Sequence, residues 1–372
     1  MVAWFRLTAQ ANYYERRAFA KARRGPISSP RLSNPLVSAI VVSRNGARFL
    51  PEALASLFAQ TWSELEVILV DNASTDGSIE AAAARWGERL RIIRNERNEG
   101  FARGNNQGFG VAHGEWVFLL NNDAVLEPNA IAELMRVVEG RPETGMLACR
   151  VLCYDKPNII DSVGLLIYPD GVCRPRGWEE KDLGQYDRVE EILAPVGSAS
   201  AWRKTMIDAL GGFDESYFAY LEDLDLAMRG QLEGWQCLYV PTAVARHAKS
   251  MTGGNYSKFK AYHVERNRIY NAIKLLPRFI LLVSPLFTLN RYLLQFYAAM
   301  THRGLSEKLV KEYSWPELAW ILARAYGSAL LRLPTMLAKR RAISRRRRLS
   351  VTEWYRLISR HKLDAIELAL KY

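Results

Sequence analysis

Two short acidic motifs, far apart in the chain, are where this sequence could do chemistry. The first closes Trp116-Val-Phe-Leu-Leu-Asn-Asn-Asp123, where the apolar residues Val117 to Leu120 run without a break into two amides and a carboxylate. Such a run predicts a strand buried on both faces, as in a parallel sheet covered by helices. Ligands in these sheets sit beyond the carboxyl ends of the strands, which puts Asn121, Asn122 and Asp123 where a ligand would be held. A single carboxylate on a rigid strand tip suits Mg²⁺ or Mn²⁺, ions that keep positions open for waters and substrate phosphates. The second motif is Tyr220-Leu-Glu-Asp-Leu-Asp-Leu226. Glu222, Asp223 and Asp225 cannot all face one way on a helix. Asp223 is expected to face the pocket and to deprotonate an attacking hydroxyl. Each motif also admits a plainer reading, since acidic residues offset helix dipoles and Asp and Asn are common in turns. His247, between Arg246 and Lys249 on a loop from Pro241 to Gly254, could complete the coordination of an ion at Asp123.

These residues need a frame to bring them together. Apolar runs predict strands at Leu36–Val42, Leu65–Val70, Leu90–Arg94 and Trp116–Leu120, with helical periodicity between them. The alternation is that of a doubly wound, mostly parallel sheet with helices on both faces. Three strand-end turns then supply a nucleotide pocket. Ser43, Arg44 and Asn45 follow the first strand, and Asp71 and Asn72 follow the second, where Ser74 or Asp76 could cap the next helix. A carboxylate at Asp71 can accept from the imide N–H of uracil or thymine, or from a ribose hydroxyl. The third turn is a glycine- and asparagine-rich loop, Asn98-Glu-Gly100-Phe-Ala-Arg103-Gly-Asn105-Asn-Gln-Gly108, that leads into a helix whose free N–H groups favour phosphate. Between Thr144 and Val196 short apolar runs broken by Pro and Gly predict mixed strands and loops. Helix is expected at Met206–Leu210, a turn at Gly211–Glu215 leads into Tyr217–Arg229, and a strand follows at Trp235–Tyr239.

The net charge of +12 is a property of the ends. Residues 1–34 carry seven Lys/Arg against one Glu, and residues 332–372 carry twelve against three acids, so the middle is slightly acidic. That argues against a nucleic-acid groove and for terminal segments that seek an anionic surface. Residues 1–34 are expected to form a basic amphipathic helix and a linker. The uncharged part of the apolar stretch at 279–300 falls short of the roughly 20 residues that span a bilayer. With the amphipathic run from Trp315 to Leu333 it is read as helices lying in the membrane interface, followed by seven cations between Lys339 and Arg348. Four cysteines without metal spacing, and no apolar signal-peptide core, fit a reducing, cytoplasmic setting.

The motifs Val37–Gly46, Val70–Ser78, Asn98–Gly108, Leu119–Asp123 and Gly211-Gly-Phe-Asp-Glu with Tyr220–Leu226 together resemble glycosyltransferase family 2, and within it the rhamnosyltransferase-like branch. The resemblance covers residues 35–275 and implies a GT-A fold. Residues 35–125 would bind the nucleotide sugar and 126–275 the acceptor, with 276–372 as a helical, basic, membrane-associating extension. It implies a dTDP- or UDP-sugar donor, a divalent cation and inversion at the anomeric carbon. Asp71 then matches the base-binding aspartate, Asp123 the metal-binding end of the D-x-D motif, Asp223 the catalytic base beside Glu222, and His247 a metal or diphosphate ligand. Asn121 stands at the first D-x-D position, as is usual in this branch, and leaves one carboxylate there. Ser198, Trp202 and Arg229 fall on the acceptor side by position alone. The expected function is transfer of a sugar such as rhamnose to a saccharide or lipid-linked saccharide in cell-surface polysaccharide synthesis, at the inner face of the cell membrane. The alternatives are transfer to polyprenyl phosphate, or a membrane- or nucleic-acid-binding protein with a degenerate core.

Overall fold

The computed structural model describes residues 34–248, 257–301 and 312–370. The described residues from Leu36 onward belong to one compact unit; the helix expected within 1–34 lies outside the described residues. The chain runs β1 (Val37–Ser43), α1 (Leu50–Phe58), β2 (Leu65–Asp71), α2 (Ser78–Trp86), β3 (Leu90–Arg94), α3 (Gly100–Val111) and β4 (Trp116–Asn121). Next come β5 (Ala124–Leu126), α4 (Ala130–Val138), β6 (Thr144–Cys153), β7 (Ile160–Ser162), the hairpin β8 (Leu165–Ile167) and β9 (Cys173–Pro175), β10 (Glu190–Glu191) and β11 (Ala199–Arg203). Then follow α5 (Lys204–Leu210), α6 (Glu222–Leu232), β12 (Gln236–His247), α7 (Lys258–Leu275), α8 (Arg278–Met300), α9 (Trp315–Leu331), α10 (Leu333–Arg346), α11 (Val351–Arg360) and α12 (Ala365–Leu370).

Among the described residues the main sheet has ten strands, its principal path being β10-β12-β6-β11-β4-β1-β2-β3. β4, β1, β2 and β3 are parallel neighbours, and β11 runs antiparallel between β4 and β6. Alternate residues of the central strands enter two separate cores: Ile40, Val117 and Leu119 on one face, Ala39, Val41, Phe118 and Leu120 on the other. Burial on both faces is why these strands read as unbroken apolar runs. β1 is followed by β2 on one side and has β4 on the other, so strand order reverses between β1 and β4, and a crevice opens beyond their ends.

α3 shows how sequence sets that crevice. A Cβ on Gly104 would lie 2.8 Å from Val42 and one on Gly108 2.7 Å from Ile40, so the missing side chains let the helix settle directly on β1. The helix begins at Gly100, so Arg103 and Asn105 are helical rather than in a loop. Three further expectations are corrected. Gly77 takes the N-cap position of α2, while Asp76 accepts from the Ser78 amide at 3.1 Å. The stretch from Tyr217 is not one helix: Glu215–Tyr217 is a 3₁₀ turn, and three non-glycine residues with positive φ precede α6. β12 runs through Pro241 to His247 because the register shifts between Val240 and Val244, a bulge that accommodates the proline.

The C-terminal helices are integral to the core. Trp354 and Ile358 join the larger cluster, and the Trp354 indole donates to the Leu275 carbonyl at 2.9 Å. The basic run at 339–348 is accordingly no free tail. Lys339 pairs with Asp214 (2.5 Å), Arg340 donates to the Ile273 carbonyl (2.6 Å), Arg346 pairs with Glu233 (2.6 Å), and Arg347 lies over the Trp354 ring.

Candidate active site

A cleft of about 330 Å³ lies at the reversal of strand order, lined by Arg44, Asn45, Gly46, Arg48, Phe49, Asn122 and Asp123. A larger cavity of about 400 Å³ includes Asp214, Arg229, Glu233, Lys274, Lys339 and Arg346 in its lining. Those charges pair among themselves or with Asp225, so the smaller cleft, with its two arginines and a carboxylate, is the candidate site.

The turns around it are laced together. Asn122 donates to the Ser43 hydroxyl (3.0 Å), the Asn45 amide N–H to Ser74 Oγ (3.0 Å), the Thr75 N–H to the Asn45 side-chain oxygen (2.8 Å), and the Ala47 N–H to Asp76 (2.8 Å). Asp71 is buried and accepts from the Ser74 N–H at 2.9 Å. Asn72, also buried, donates to the Gly100 carbonyl (3.0 Å) and accepts from Asn95 (2.9 Å). Asn105 is buried and donates to the Phe101 carbonyl of its own helix. Asn45, Asn72 and Asn105 thus hold the frame. The start of α3 is partly closed by its own chain, because the Gly100 N–H donates to Asn98 (3.0 Å) and the Ala102 N–H to the Phe218 carbonyl (3.1 Å). Gly100 has φ +82°, and a Cβ there would meet the Phe218 carbonyl at 2.6 Å, so only glycine fits. Arg103 is half-exposed, 3.5 Å from Glu99.

β12 delivers His247 to the strand tip. It lies in register with Ala124, and its Nε2 is 3.2 Å from Asp123 Oδ1 and 3.5 Å from the Asn121 amide. Its Nδ1 donates to Asp161 at 2.8 Å. Burial opposes charge on this imidazole, but the bonds to Asp123 and Asp161 outweigh it and hold its pKa at about 10. Sequence reading left Asp161 without a role; β7 brings it here from a distant stretch that carries no motif. Asp123 and His247 supply one carboxylate and one imidazole, and Asp161 fixes the ring from behind as outer-shell carboxylates do for metal-bound histidines. With the Nε2 proton released, this pair would fit Mg²⁺ or Mn²⁺, whose other positions go to water and phosphate oxygens. No cluster of three or more His, Cys, Asp or Glu arranged to hold an ion occurs among the described residues, so a closed all-protein cage is not what these residues build.

Asp223 stands at the first turn of α6, partly exposed, and accepts from the Gly197 N–H (3.0 Å) and the Leu224 N–H (2.7 Å). The next residue, Ser198, accepts from the Asn121 N–H at 2.9 Å. Hydrogen bonds at Gly197 and Ser198 therefore tie both acidic motifs to one short segment, and Phe101 packs 3.4 Å from where a Gly197 Cβ would stand. Tyr220 lies within electrostatic reach of both Glu222 and Asp123. Burial raises the Asp223 carboxyl despite two amide donors. Glu222 is buried with Oε2 lacking a partner among the described residues, and burial plus the Asp223 charge push it well above the carboxylate range. Of the acceptor-side residues, Ser198 is here. Trp202 and Arg229 are not: Trp202 is fully buried against Phe213, and Arg229 pairs with Asp225 (2.9 Å) and donates to the Leu210 and Gly212 carbonyls. Arg48 and Phe49 line the cleft without any sequence signal to single them out.

The fold is α/β with a cleft lined by two arginines and a carboxylate at its strand ends, and comparison with known proteins gives the class. The model of glycosyl transferase family 2 matches residues 38–196. N-acetylglucosaminyl-diphospho-decaprenol L-rhamnosyltransferase of Mycobacterium tuberculosis (strain CDC 1551 / Oshkosh) is 30% identical over 264 residues, covering 63% of this chain and 83% of that protein. O-antigen biosynthesis protein RfbC of Myxococcus xanthus is 28% identical over 214 residues, 55% of this chain and 16% of that one. The crystal structure of GalNAc-T7 with UDP, GalNAc and Mn2+ superposes with TM-score 0.52 at 18% identity, covering 62% of this chain and 47% of that one, a likeness of fold. The chain belongs to glycosyltransferase family 2, has the GT-A type of mixed α/β sheet, and is a glycosyltransferase.

Proposed function

We propose that the enzyme transfers a sugar, with inversion, from a dTDP- or UDP-sugar to a lipid-linked saccharide at the inner face of a membrane. The observation that carries this reading is Asp223 held on the Gly197 amide, one residue from the segment bonded to the Asn121 strand tip. Asp223 takes the proton from the acceptor hydroxyl as its oxygen bonds to the anomeric carbon. The bond from that carbon to the diphosphate oxygen breaks on the opposite face, so the configuration inverts and the nucleoside diphosphate leaves with the electron pair. A divalent cation, held by Asp123 and His247, would neutralise charge on the departing diphosphate. Arg44 and Arg48 line the same cleft and act on that charge from the protein side. Asp71 receives the base, Ser43, Asn121 and Asn122 border the diphosphate, and Glu222, kept neutral by burial, steadies the start of α6. A rhamnosyl donor and a polyprenyl-diphospho-N-acetylglucosamine acceptor are proposed from the name of the mycobacterial relative.

A screen of nucleotide sugars by thermal denaturation, with and without Mn²⁺, tests donor and metal together. A matching donor at a hundred times its Kd should stabilise the protein by roughly 2.7 kcal/mol. Asp123→Ala should lose the Mn²⁺-dependent share of that shift; a shift that Mn²⁺ never changes would remove the ion from the account.

The membrane reading rests on α8. Phe279, Leu282, Leu286, Leu289, Leu293, Phe296 and Met300 recur at helical spacing along one face and are all more than half exposed. α8 is also the one helix among the described residues long and apolar enough to cross a bilayer. Its other face argues for lying flat: Arg291 is buried, with Nε 2.8 Å from Asp170 and Nη1 2.8 Å from Glu265. Exposed Arg278, Arg324, Arg332, Arg341 and Arg345 suit an anionic leaflet, each contributing on the order of 1 kcal/mol. Replacing Leu282, Leu286, Leu289 and Leu293 by serine should abolish sedimentation with phosphatidylglycerol vesicles and leave nucleotide binding unchanged. Undiminished sedimentation would refute the assignment. Truncation at residue 332 is the poorer test, because it strips Trp354 and Ile358 from the core.

A further inference from the structure

The residues just before the catalytic carboxylate adopt a backbone that the chain does not favour. Phe218, Tyr220 and Leu221 have φ of 64°, 71° and 72°, a left-handed conformation outside the ordinary range of L-residues with side chains of this size. Such a residue is strained and persists only where its surroundings impose it. The loop makes two connections to the donor half: the Phe218 carbonyl accepts from the Ala102 N–H at 3.1 Å, and the Phe218 side chain fills the space that a Gly100 Cβ would need. Its last residue, Leu221, is the N-cap of α6, so the loop sets where Asp223 points.

What imposes this conformation comes from α7. Asn267 is fully buried, and its side-chain NH₂ donates to the carbonyls of Tyr217 (3.1 Å), Ala219 (2.9 Å) and Tyr220 (2.7 Å). Its oxygen accepts from Arg266 Nε at 2.9 Å, and Arg266 in turn donates to the Ser216 and Tyr217 carbonyls at 3.1 and 2.8 Å. One turn on, Asn271 accepts from the Tyr217 hydroxyl at 2.6 Å. The Tyr217 carbonyl also accepts from the Ala219 N–H at 2.8 Å and from Arg266, while the Ala219 and Tyr220 carbonyls accept from Asn267, and a buried carbonyl left unpaired is costly. The two N–H groups of Asn267 are shared among these three carbonyls, one of them in a three-centre bond. An aspartate would present only acceptors to these carbonyls, and a leucine nothing.

We propose that Asn267 is a positioning residue for sugar transfer, holding the strained Tyr217–Leu221 loop so that Asp223 meets the acceptor hydroxyl. The proposal rests on Asp223 as the base. Misplacement of a reacting group by about 1 Å can cost 10²-fold in rate. The nucleotide cleft is lined by other turns, so dTDP binding reads the donor side separately from the loop.

The test compares Asn267→Asp and Asn267→Ala with Asp223→Asn and wild type. Each is assayed with dTDP-rhamnose and a short polyprenyl-diphospho-N-acetylglucosamine, alongside dTDP binding by calorimetry. Both Asn267 variants are expected to lose about 10²-fold in kcat, with KM for the donor and Kd for dTDP within about twofold of wild type. The proposal is overturned if either variant binds dTDP normally and turns over within about threefold of wild type. It is equally overturned if both lose dTDP binding along with turnover, since Asn267 would then serve the fold at large. Should Asp223→Asn itself retain activity, the base assignment falls; an inactive Asp223→Asn beside a fully active Asn267→Asp removes the positioning role alone.

Discussion

Asp223→Asn is expected to reduce sugar transfer by at least 10²-fold, the lower end of what one general base contributes, while dTDP or UDP binding stays within about twofold. The substitution keeps the shape and one oxygen for the Gly197 amide, 3.0 Å away in the native enzyme, but takes the acceptor from the Leu224 N–H, so the helix should persist at a modest loss of stability. What disappears is the ability to take a proton. Glu222→Gln provides the contrast. Glu222 is buried, and burial with the neighbouring Asp223 charge raises its carboxyl well above the ordinary range, so an uncharged amide of the same size should retain most activity. The native pH profile carries the same signature. Asp223 must be ionised to act, and burial raises its pKa. Activity should therefore fall on acidification at a pH above the ordinary aspartate value of about 3.9. Equal loss in both variants, as read by kcat at fixed pH, would show that the motif acts as a charged pair and not through one base.

The second large effect is on stability. Lys274→Met should destabilise the protein by about 3–5 kcal/mol, the usual result of removing one member of a buried ion pair. Lys274 is fully buried, with Nζ 2.6 Å from Asp214 and 2.5 Å from Asp225, and it lies over the Tyr217 ring. Burial alone would raise the Asp214 carboxyl, but Lys274 and then Lys339 outweigh it and hold it well below the usual range. A depressed carboxylate pKa contributes stability that is complete above the unfolded value of about 3.9 and is lost as pH falls through the folded value. Lys274→Met should thus unfold at lower denaturant and at a less acidic pH than wild type. Unchanged urea midpoints would mean that Lys339 and Arg229 suffice for the two aspartates.

Much of the donor half was legible because its signals are local. β4 and its polar tip, the alternation of strands and helices, and the acidic start of α6 all follow from short stretches of sequence. His247 lies 3.2 Å from Asp123, but on a strand and not on a loop. Pro241 reads as the end of a strand, whereas a bulge carries β12 past it and turns His247 onto the strand tip. Trp202 and Arg229 misled for a related reason: position along the chain does not show which face a strand residue takes, or that Arg229 spends its donors on Asp225 and two carbonyls. Asp161 and Asn267 left no trace because their partners come from elsewhere in the chain. A polar helix such as α7 looks like a surface helix until the inward carbonyls of the Tyr217–Leu221 loop are seen beside it. The basic run at 339–348 likewise looked free, yet four of its cations are engaged within the fold.

The most direct test is a crystal structure of Asp223→Asn holding an intact nucleotide sugar. The account predicts the diphosphate beside Asp123 and His247, with the side chain at position 223 facing the anomeric carbon from the side opposite the departing oxygen. A sugar ring turned away from position 223, or a diphosphate bound elsewhere than the Asn121–Asp123 tip, would contradict it.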